Sequence, residues 1–175
     1  MRISFSSIDD TVSGFNCGNS SINSLVQKSY IANVAKQAET QKICINGIQA
    51  GYYSYTLSNI LLCKIPDGDT HRIETSIFRN QFSSIHIEYL AIDEKYQRKR
   101  IGTMALPLIL LNLKPKTEKI PVRYITLNSL IDKVEWYRLF GFEPMTTVAD
   151  IDGNIPMYLD CLPEANYSVL CGYFE

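Results

Sequence analysis

The sequence predicts one mixed α/β domain over residues 1–175, a central mixed sheet with helices on both faces. Three observations predict it. A chain of 175 residues, 46% of them hydrophobic, can bury a core without disulfide or metal staples. Segments of helical and of strand periodicity alternate along it. Recognisable turn signals separate those segments.

Ile22, Leu25, Val26 and Tyr30 recur at helical spacing, so 20–36 reads as a helix that Asn19 or Ser20 can cap. Residues 42–46 read as a strand. Asn46-Gly47 makes a hairpin turn because both residues tolerate positive φ, and the tyrosine-rich 48–58 returns as the next strand. Residues 59–83 show a turn at Pro66-Asp67-Gly68, no clear period and room for one short helix. The clearest strand is 84–93, with Ile85, Ile87, Tyr89 and Ala91 on one face and His86, Glu88, Leu90 and Ile92 on the other. An apolar helix is expected over 101–113, kinked or stopped early at Pro107, because an interior proline removes a helix bond at a cost of ~3 kcal/mol. A strand at 122–127 follows. Asn128 or Ser129 then caps a short helix over 131–140, ended by Gly141. Strands at 142–148 and 155–160 flank the turn Asp152-Gly153-Asn154.

Composition excludes several classes. Lys and Arg number 17 against 18 Asp and Glu, a net charge of -1, which argues against a uniformly basic nucleic-acid binder but not against a local basic patch. The opening MRISFSSIDD lacks the apolar core of a signal peptide, and the most apolar stretch is too short to span a bilayer, so no membrane association is expected. The 5 cysteines are widely spaced and form no C-x-x-C pair, so no metal site is expected and free thiols in a reducing cytoplasm are.

The strongest local signal is a strand running into a basic loop and then into a helix. Backbone N–H groups at such a helix start favour an anion, and Arg98, Lys99 and Arg100 add charge. A phosphate or pyrophosphate cradle and an ordinary solvated loop both fit this pattern. It is not a P-loop, since no Gly-Lys-Ser/Thr follows.

The run Tyr96-Gln97-Arg98-Lys99-Arg100-Ile101-Gly102-Thr103 resembles the acyl-CoA loop of the GNAT N-acetyltransferases, Gln/Arg-x-x-Gly-x-Gly/Ala. Gln97 and Gly102 match, while Arg100 stands where the family usually has its first glycine. Residues 89–93 (YLAID) resemble the family's fourth strand. Residues 136–144, from Trp136-Tyr137 to Gly141-Phe142, resemble its aromatic-Tyr-x-x-x-Gly-Phe motif. Phe15-Asn16-Cys17-Gly18 followed by Ile22-Asn23-Ser24-Leu25 is similar to the opening of the toxin-type branch, whose members acetylate aminoacyl-tRNA and are paired with an antitoxin. Gly51-Tyr52-Tyr53-Ser54 and Met157-Tyr158-Leu159 fit that branch as well.

The resemblance implies a GNAT acyl-CoA N-acyltransferase fold and direct acetyl transfer from acetyl-CoA to a primary amine, with no metal. It implies pantetheine against the backbone of Leu90, Ala91 and Ile92. It places the pyrophosphate on the N–H groups of Arg98, Lys99, Arg100, Ile101, Gly102 and Thr103, with Gln97 in the same cofactor-binding loop and Asn128 near the cofactor. It implies aminoacyl-tRNA as substrate and an antitoxin as partner. A homodimer is left open, because the tail at 165–175 suits packing either on a partner or on its own core. A small metabolite or protein amine is the alternative substrate, and Arg100 raises a non-catalytic acyl-CoA binder as another.

Chemistry assigns the roles. The leaving thiolate needs a proton, and Tyr137, with a phenol pKa of ~10 against ~8.5 for a thiol, is protonated at neutral pH. Glu88 precedes the cofactor stretch and is the candidate to steer or deprotonate the amine, with His86 on the same face. Each also has a plain structural reading: Tyr137 as core, Glu88 as an ion-pair partner, His86 as a hydrogen-bonded histidine. An α-amine has pKa ~8 against ~10.4 for lysine, so it needs little help from a base. RNA binding needs a basic face, for which Lys28, Lys36, Lys42, Arg72, Arg79, Lys95, Lys114, Lys116, Lys119 and Arg123 are on hand.

Overall fold

In a computed structural model, residues 1–61, 81–166 and 169 are described. The turn at Pro66-Asp67-Gly68, any helix near it, Cys63, Arg72, Arg79 and most of the apolar tail lie outside the described residues. The elements are β1 (Ile3–Ser7), α1 (Ser20–Val34), β2 (Glu39–Ile45), β3 (Ile48–Leu61), β4 (Gln81–Ile92), α2 (Ile101–Lys119), β5 (Val122–Leu130), α3 (Val134–Arg138), β6 (Glu143–Pro144) and β7 (Asn154–Asp160). The strands form one open sheet in the order β1-β2-β3-β4-β5-β7-β6. This is the expected mixed α/β class. The chain divides into two compact units, Met1–Thr56 with Ile87–Asn112 and Leu57–His86 with Leu113–Glu175.

In the first unit, Asn19 caps α1 by accepting the N–H of Ile22. The Asn46-Gly47 turn takes φ of 49° and 83°, as two residues of a tight hairpin must. Opposite faces of this part of the sheet carry different helices. Tyr52 packs with Val26 of α1, Tyr89 and Ala91. The next residue, Tyr53, faces the other way, and its hydroxyl accepts a hydrogen bond from Asn112 of α2 at 2.7 Å. Near the hairpin a bulge breaks that alternation. Ile43 pairs with Gly51 and Cys44 with Gln49, so Ala50 is an extra residue. Ala50 therefore joins Ile45 and Ile101 in a separate cluster, although it is two residues from Tyr52.

β1 carried no signal strong enough to be expected, since Ser4, Ser6 and Ser7 break its apolar content. It is held by antiparallel pairing with β2 from Ile3↔Ile45 to Ser7↔Gln41. The helix after the basic loop is longer than expected and continues past Pro107 to Lys119. Ala105, Leu106, Ile109, Leu110 and Leu113 are all buried, and that packing offsets the hydrogen bond lost at the proline.

In the second unit, β5 runs on to Leu130 and pairs antiparallel with β7, from Tyr124↔Asp160 to Leu130↔Asn154. Asn128 and Ser129 are thus strand residues rather than helix caps. The expected helix over 131–140 is a 3-10 turn at Ile131–Lys133 followed by the five-residue α3. Gly141, at φ 85°, ends it as expected. The final hairpin is shorter on one side than expected, with β6 only Glu143–Pro144. The Asp150 carboxylate accepts the N–H groups of Asp152 and Asn154, which ties the chain into a turn and ends strand pairing there.

Gly51 marks a tight constraint. A Cβ there would lie 2.3 Å from the carbonyl oxygen of Ala91, a backbone atom that cannot step aside. Gly51→Ala should therefore destabilise the protein by about 1–3 kcal/mol, read as a lowered urea midpoint at unchanged slope. A change under about 0.5 kcal/mol, the ordinary surface range, would contradict this packing.

Candidate active site

In the first unit, β4 ends in Leu90, Ala91 and Ile92, of which Ala91 is buried and the other two are half-buried. Asp93 donates its N–H to the carbonyl of Ala50 at 2.9 Å, and its carboxylate caps a 3-10 turn at Glu94–Tyr96. Gln97 follows. Both hydrogens of its side-chain amide are engaged, one to the carbonyl of Ile92 at 2.9 Å and one to that of Cys17 at 2.8 Å. Its backbone N–H donates to Glu94. Gln97 thus holds the loop in place.

The next residues reverse the chain into α2. Arg98 and Arg100 take φ of 59° and 58°, the left-handed region that costs an L-residue roughly 1–2 kcal/mol. Arg100 sits in the conformation that the family's usual glycine would favour, so the substitution keeps the loop's shape. Met104 makes the first helical bond, to Arg100. Among the described residues, no protein acceptor takes the backbone N–H groups of Arg98, Lys99, Arg100, Ile101 or Gly102. Alternating backbone hand with successive N–H groups at a helix start makes an anion-binding concavity.

The loop's three cations behave differently. Lys99 turns back, donating to the carbonyl of Lys95 at 2.9 Å with its ammonium over the Tyr96 ring. Among the described residues, no carboxylate pairs with Arg98 or Arg100. Thr103 is exposed on the first turn of α2. Glu88 is exposed on β4, and its carboxylate accepts from Thr56 Oγ1 at 3.0 Å. No described cation pairs with it, so the ion-pair reading of Glu88 gains no support.

In the second unit, Tyr137 lies in α3 with its ring edge-on to Trp136 and Phe142, centroids 4.7 and 5.8 Å away. Burial pushes its phenol up to about 12. Among the described residues nothing hydrogen-bonds its hydroxyl. Asn128 is exposed on β5, opposite Pro156 of β7. His86 Nδ1 is 2.9 Å from the Thr126 hydroxyl, in keeping with its structural reading.

Two of the cations set aside for an RNA face are already engaged. Arg123 is buried, forms a two-pronged bond to Asp160 with Nη2 at 2.8 Å, and lies against the rings of Phe82 and Tyr124. Lys42 pairs with Asp9. No metal-binding group of His, Cys, Asp and Glu occurs among the described residues. Cys17, Cys44 and Cys161 are free thiols. No described helix is long and apolar enough to cross a membrane. Sequence reasoning missed Asn16 and Gly51 as neighbours of the loop and of β4, although both lie in motifs it had singled out.

Comparison with solved structures gives the architecture a context. A bacterial toxin matches over 97% of this chain and 95% of its own, at 16% identity and a TM-score of 0.74. A tyrosine-to-phenylalanine mutant of KacT matches over 92% and 96%, at 15% identity and TM-score 0.73. AtaT complexed with acetyl-methionyl-tRNAfMet matches over 97% and 99%, at 16% identity and TM-score 0.72. A mutant AtaT bound to acetyl-CoA and the C-terminus of the antitoxin AtaR is also similar. No family model and no curated protein matches the sequence.

Two predictions follow the geometry. Arg100→Gly should raise stability by about 0.5–1 kcal/mol, since glycine adopts positive φ without strain but gains freedom in the unfolded chain. An unchanged or lower melting temperature would contradict a left-handed Arg100. Burial also pushes the Tyr53 phenol up to about 12. Tyr53 and Tyr137 therefore keep their protons when folded and release them near pH ~10 when unfolded. Their contribution is complete below that pH and is lost as pH rises through about 12. Urea midpoints should fall across that window, and Tyr53→Phe should flatten the fall. A midpoint as steep in Tyr53→Phe as in the unchanged protein would contradict a buried, protonated Tyr53.

At this level of identity the likeness carries the architecture, and that architecture is the GNAT fold of the AtaT and KacT toxins.

Proposed function

We propose that this chain is an N-acetyltransferase that moves acetyl from acetyl-CoA directly to a primary amine, the α-amine of an aminoacyl-tRNA, as the toxin of a toxin–antitoxin pair in the cytoplasm. The whole of 1–175 acts as one catalytic domain. The observation that carries the proposal is the run of N–H groups from Arg98 to Gly102 with no protein acceptor among the described residues, at the start of a 19-residue helix. It suits a pyrophosphate better than an ordinary solvated loop, because two left-handed residues are held there at a cost. Retention of that shape at Arg100 removes the departure that raised a degenerate binder. Similar structures that hold acetyl-CoA with an antitoxin, or an acetylated initiator tRNA, support the substrate and partner.

Acetyl-CoA supplies an activated thioester and a diphosphate handle. The loop N–H groups, with Arg98 and Arg100, hold the diphosphate. The backbone of Leu90 to Ile92 and Asn128 meet the rest of the molecule. The amine must arrive neutral, and an α-amine of pKa ~8 is neutral often enough at pH 7 for Glu88 to steer it rather than deprotonate it outright. Tyr137 acts on the departing sulfur. With its phenol pushed up to about 12, it is a weaker acid than a thiol. It therefore works as a protonated hydrogen-bond donor to the charge growing on sulfur while the amine nitrogen bonds the acetyl carbon and the C–S bond breaks, and the proton that the nitrogen gives up is the one that ends on the CoA thiol. RNA contact would fall to cations that form no ion pair among the described residues, among them Lys28, Lys36, Lys95, Lys114 and Lys119.

Incubation with labelled acetyl-CoA and separate pools of aminoacyl-tRNA, protein and polyamines tests the substrate. Label should enter aminoacyl-tRNA and be released when the ester is hydrolysed. Label confined to the protein or polyamine pool would overturn the tRNA reading. Tyr137→Phe should lower turnover ~10²–10⁴-fold while acetyl-CoA binding changes little, since the hydroxyl is needed mainly in the transition state. Near-full turnover with unchanged stability would make Tyr137 structural.

A further inference from the structure

The motif Phe15-Asn16-Cys17-Gly18 has no part in the chemistry above, yet it is bonded to the segment that opens the loop. The Glu94 N–H donates to the carbonyl of Asn16 at 2.9 Å. Asn16 Nδ2 donates to the Glu94 carboxylate at 2.9 Å. Gln97 donates to the carbonyl of Cys17 at 2.8 Å. The strap is itself braced. Asn16 Oδ1 accepts from the Gly18 N–H at 2.9 Å and from Asn23 Nδ2 at 2.8 Å, and Asn23 Oδ1 accepts the Cys17 N–H at 2.9 Å. Phe15 anchors its other end, edge-on to Tyr52 at 5.1 Å and packed on the cluster of Val26, Tyr89 and Ala91. Gly18 stands at φ 81°, and a Cβ there would come 2.9 Å from Glu94 Oε1, so glycine fits both the turn and the close approach.

These bonds end one residue before Arg98. Backbone held in the left-handed region persists only where its surroundings over-determine it. Among the described residues, no side-chain bond of Arg98 or Arg100 supplies that restraint, whereas Gln97 is tied at its side chain to both Ile92 and Cys17 and at its N–H to Glu94. We infer that Asn16, Gly18 and Gln97 are positioning residues: the strap at 16–18 clamps the start of the loop and keeps its N–H groups in the shape that receives the acetyl-CoA diphosphate. This inference rests on the acetyl-CoA reading. Gln97 thereby serves the cofactor through the loop it holds, and the short motif near the N-terminus sets cofactor affinity without touching the cofactor.

Gln97→Leu removes both side-chain bonds, and Asn16→Ala removes the brace from outside the loop. The second variant serves as the test if the first lowers soluble yield. Each should weaken calorimetric acetyl-CoA binding by about tenfold, the effect of losing ~1.4 kcal/mol of loop order. KM for acetyl-CoA should rise in step in both, and in Asn16→Ala, which lies outside the loop, kcat at saturation and KM for the amine should stay nearly unchanged. Amide hydrogen exchange at Glu94, Tyr96 and Gln97, whose N–H groups are hydrogen-bonded in the segment the strap holds, should speed up in both variants when measured without ligand. A strap that served stability alone would lower the melting temperature and leave KM for acetyl-CoA where it was. Variants that bind acetyl-CoA as tightly as the unchanged protein, with the same exchange, would overturn the strap's role and leave the acetyl-CoA reading standing. An unchanged protein that fails to bind acetyl-CoA would overturn that reading and the inference with it.

Discussion

Arg98 and Arg100, each with left-handed backbone, bracket the reversal from β4 into α2, and the candidate chemistry depends on that reversal. A right-handed continuation would wind 98–100 into the helix and commit their N–H groups to carbonyls of the preceding turn. The left-handed residues hold the chain out of the helix until Ile101, and the N–H groups from Arg98 to Gly102 keep no protein acceptor among the described residues. The proposed site for a doubly charged diphosphate is thus made mainly from backbone, with guanidinium charge added at the same residues.

The first unit is arranged to hold that reversal. Gly51 lets β3 come close to the Ala91 carbonyl, and the bulge at Ala50 turns a carbonyl toward the N–H of Asp93. Asp93 then caps the 3-10 turn, and Gln97 closes it against Ile92. Each step removes freedom from the segment before Arg98. In the second unit the organising feature is burial of a tyrosine ring. Trp136 and Phe142 enclose Tyr137, and loss of solvent around the phenol raises its pKa. The same burial that makes it a poor acid in isolation makes it a constant hydrogen-bond donor, which suits a role at a developing thiolate better than full proton release.

Much of this was legible in the sequence, for identifiable reasons. The alternation in 84–93 and the helical spacing of Ile22, Leu25, Val26 and Tyr30 report a buried face, and both elements form there, although β4 begins earlier, at Gln81, α1 ends at Val34 and Leu25 is exposed. Asn46-Gly47 and Gly141 report backbone hand, and both have positive φ. What sequence reasoning missed depends on partners distant along the chain. β1 exists because β2 offers it an edge. α2 passes Pro107 because its buried face outweighs one lost bond. Arg123, counted among surface cations, is buried because Asp160 and two aromatic rings receive it. Within the loop, Arg100 departs from the family's usual glycine, and that departure raised a non-catalytic binder. Only coordinates show an arginine adopting the glycine conformation, since side-chain identity gives a prior on φ and the surrounding bonds decide it.

The central claim is that the loop after β4 receives the diphosphate of acetyl-CoA, and calorimetric titration with two ligands tests it most directly. Acetyl-CoA and acetyl-pantetheine carry the same thioester, and only acetyl-CoA carries the diphosphate. The account predicts that acetyl-CoA binds and raises the melting temperature by mass action, that acetyl-pantetheine binds far more weakly, and that the gap narrows as salt is added. Equal affinity for the two, or no binding of acetyl-CoA at millimolar concentration, would contradict it.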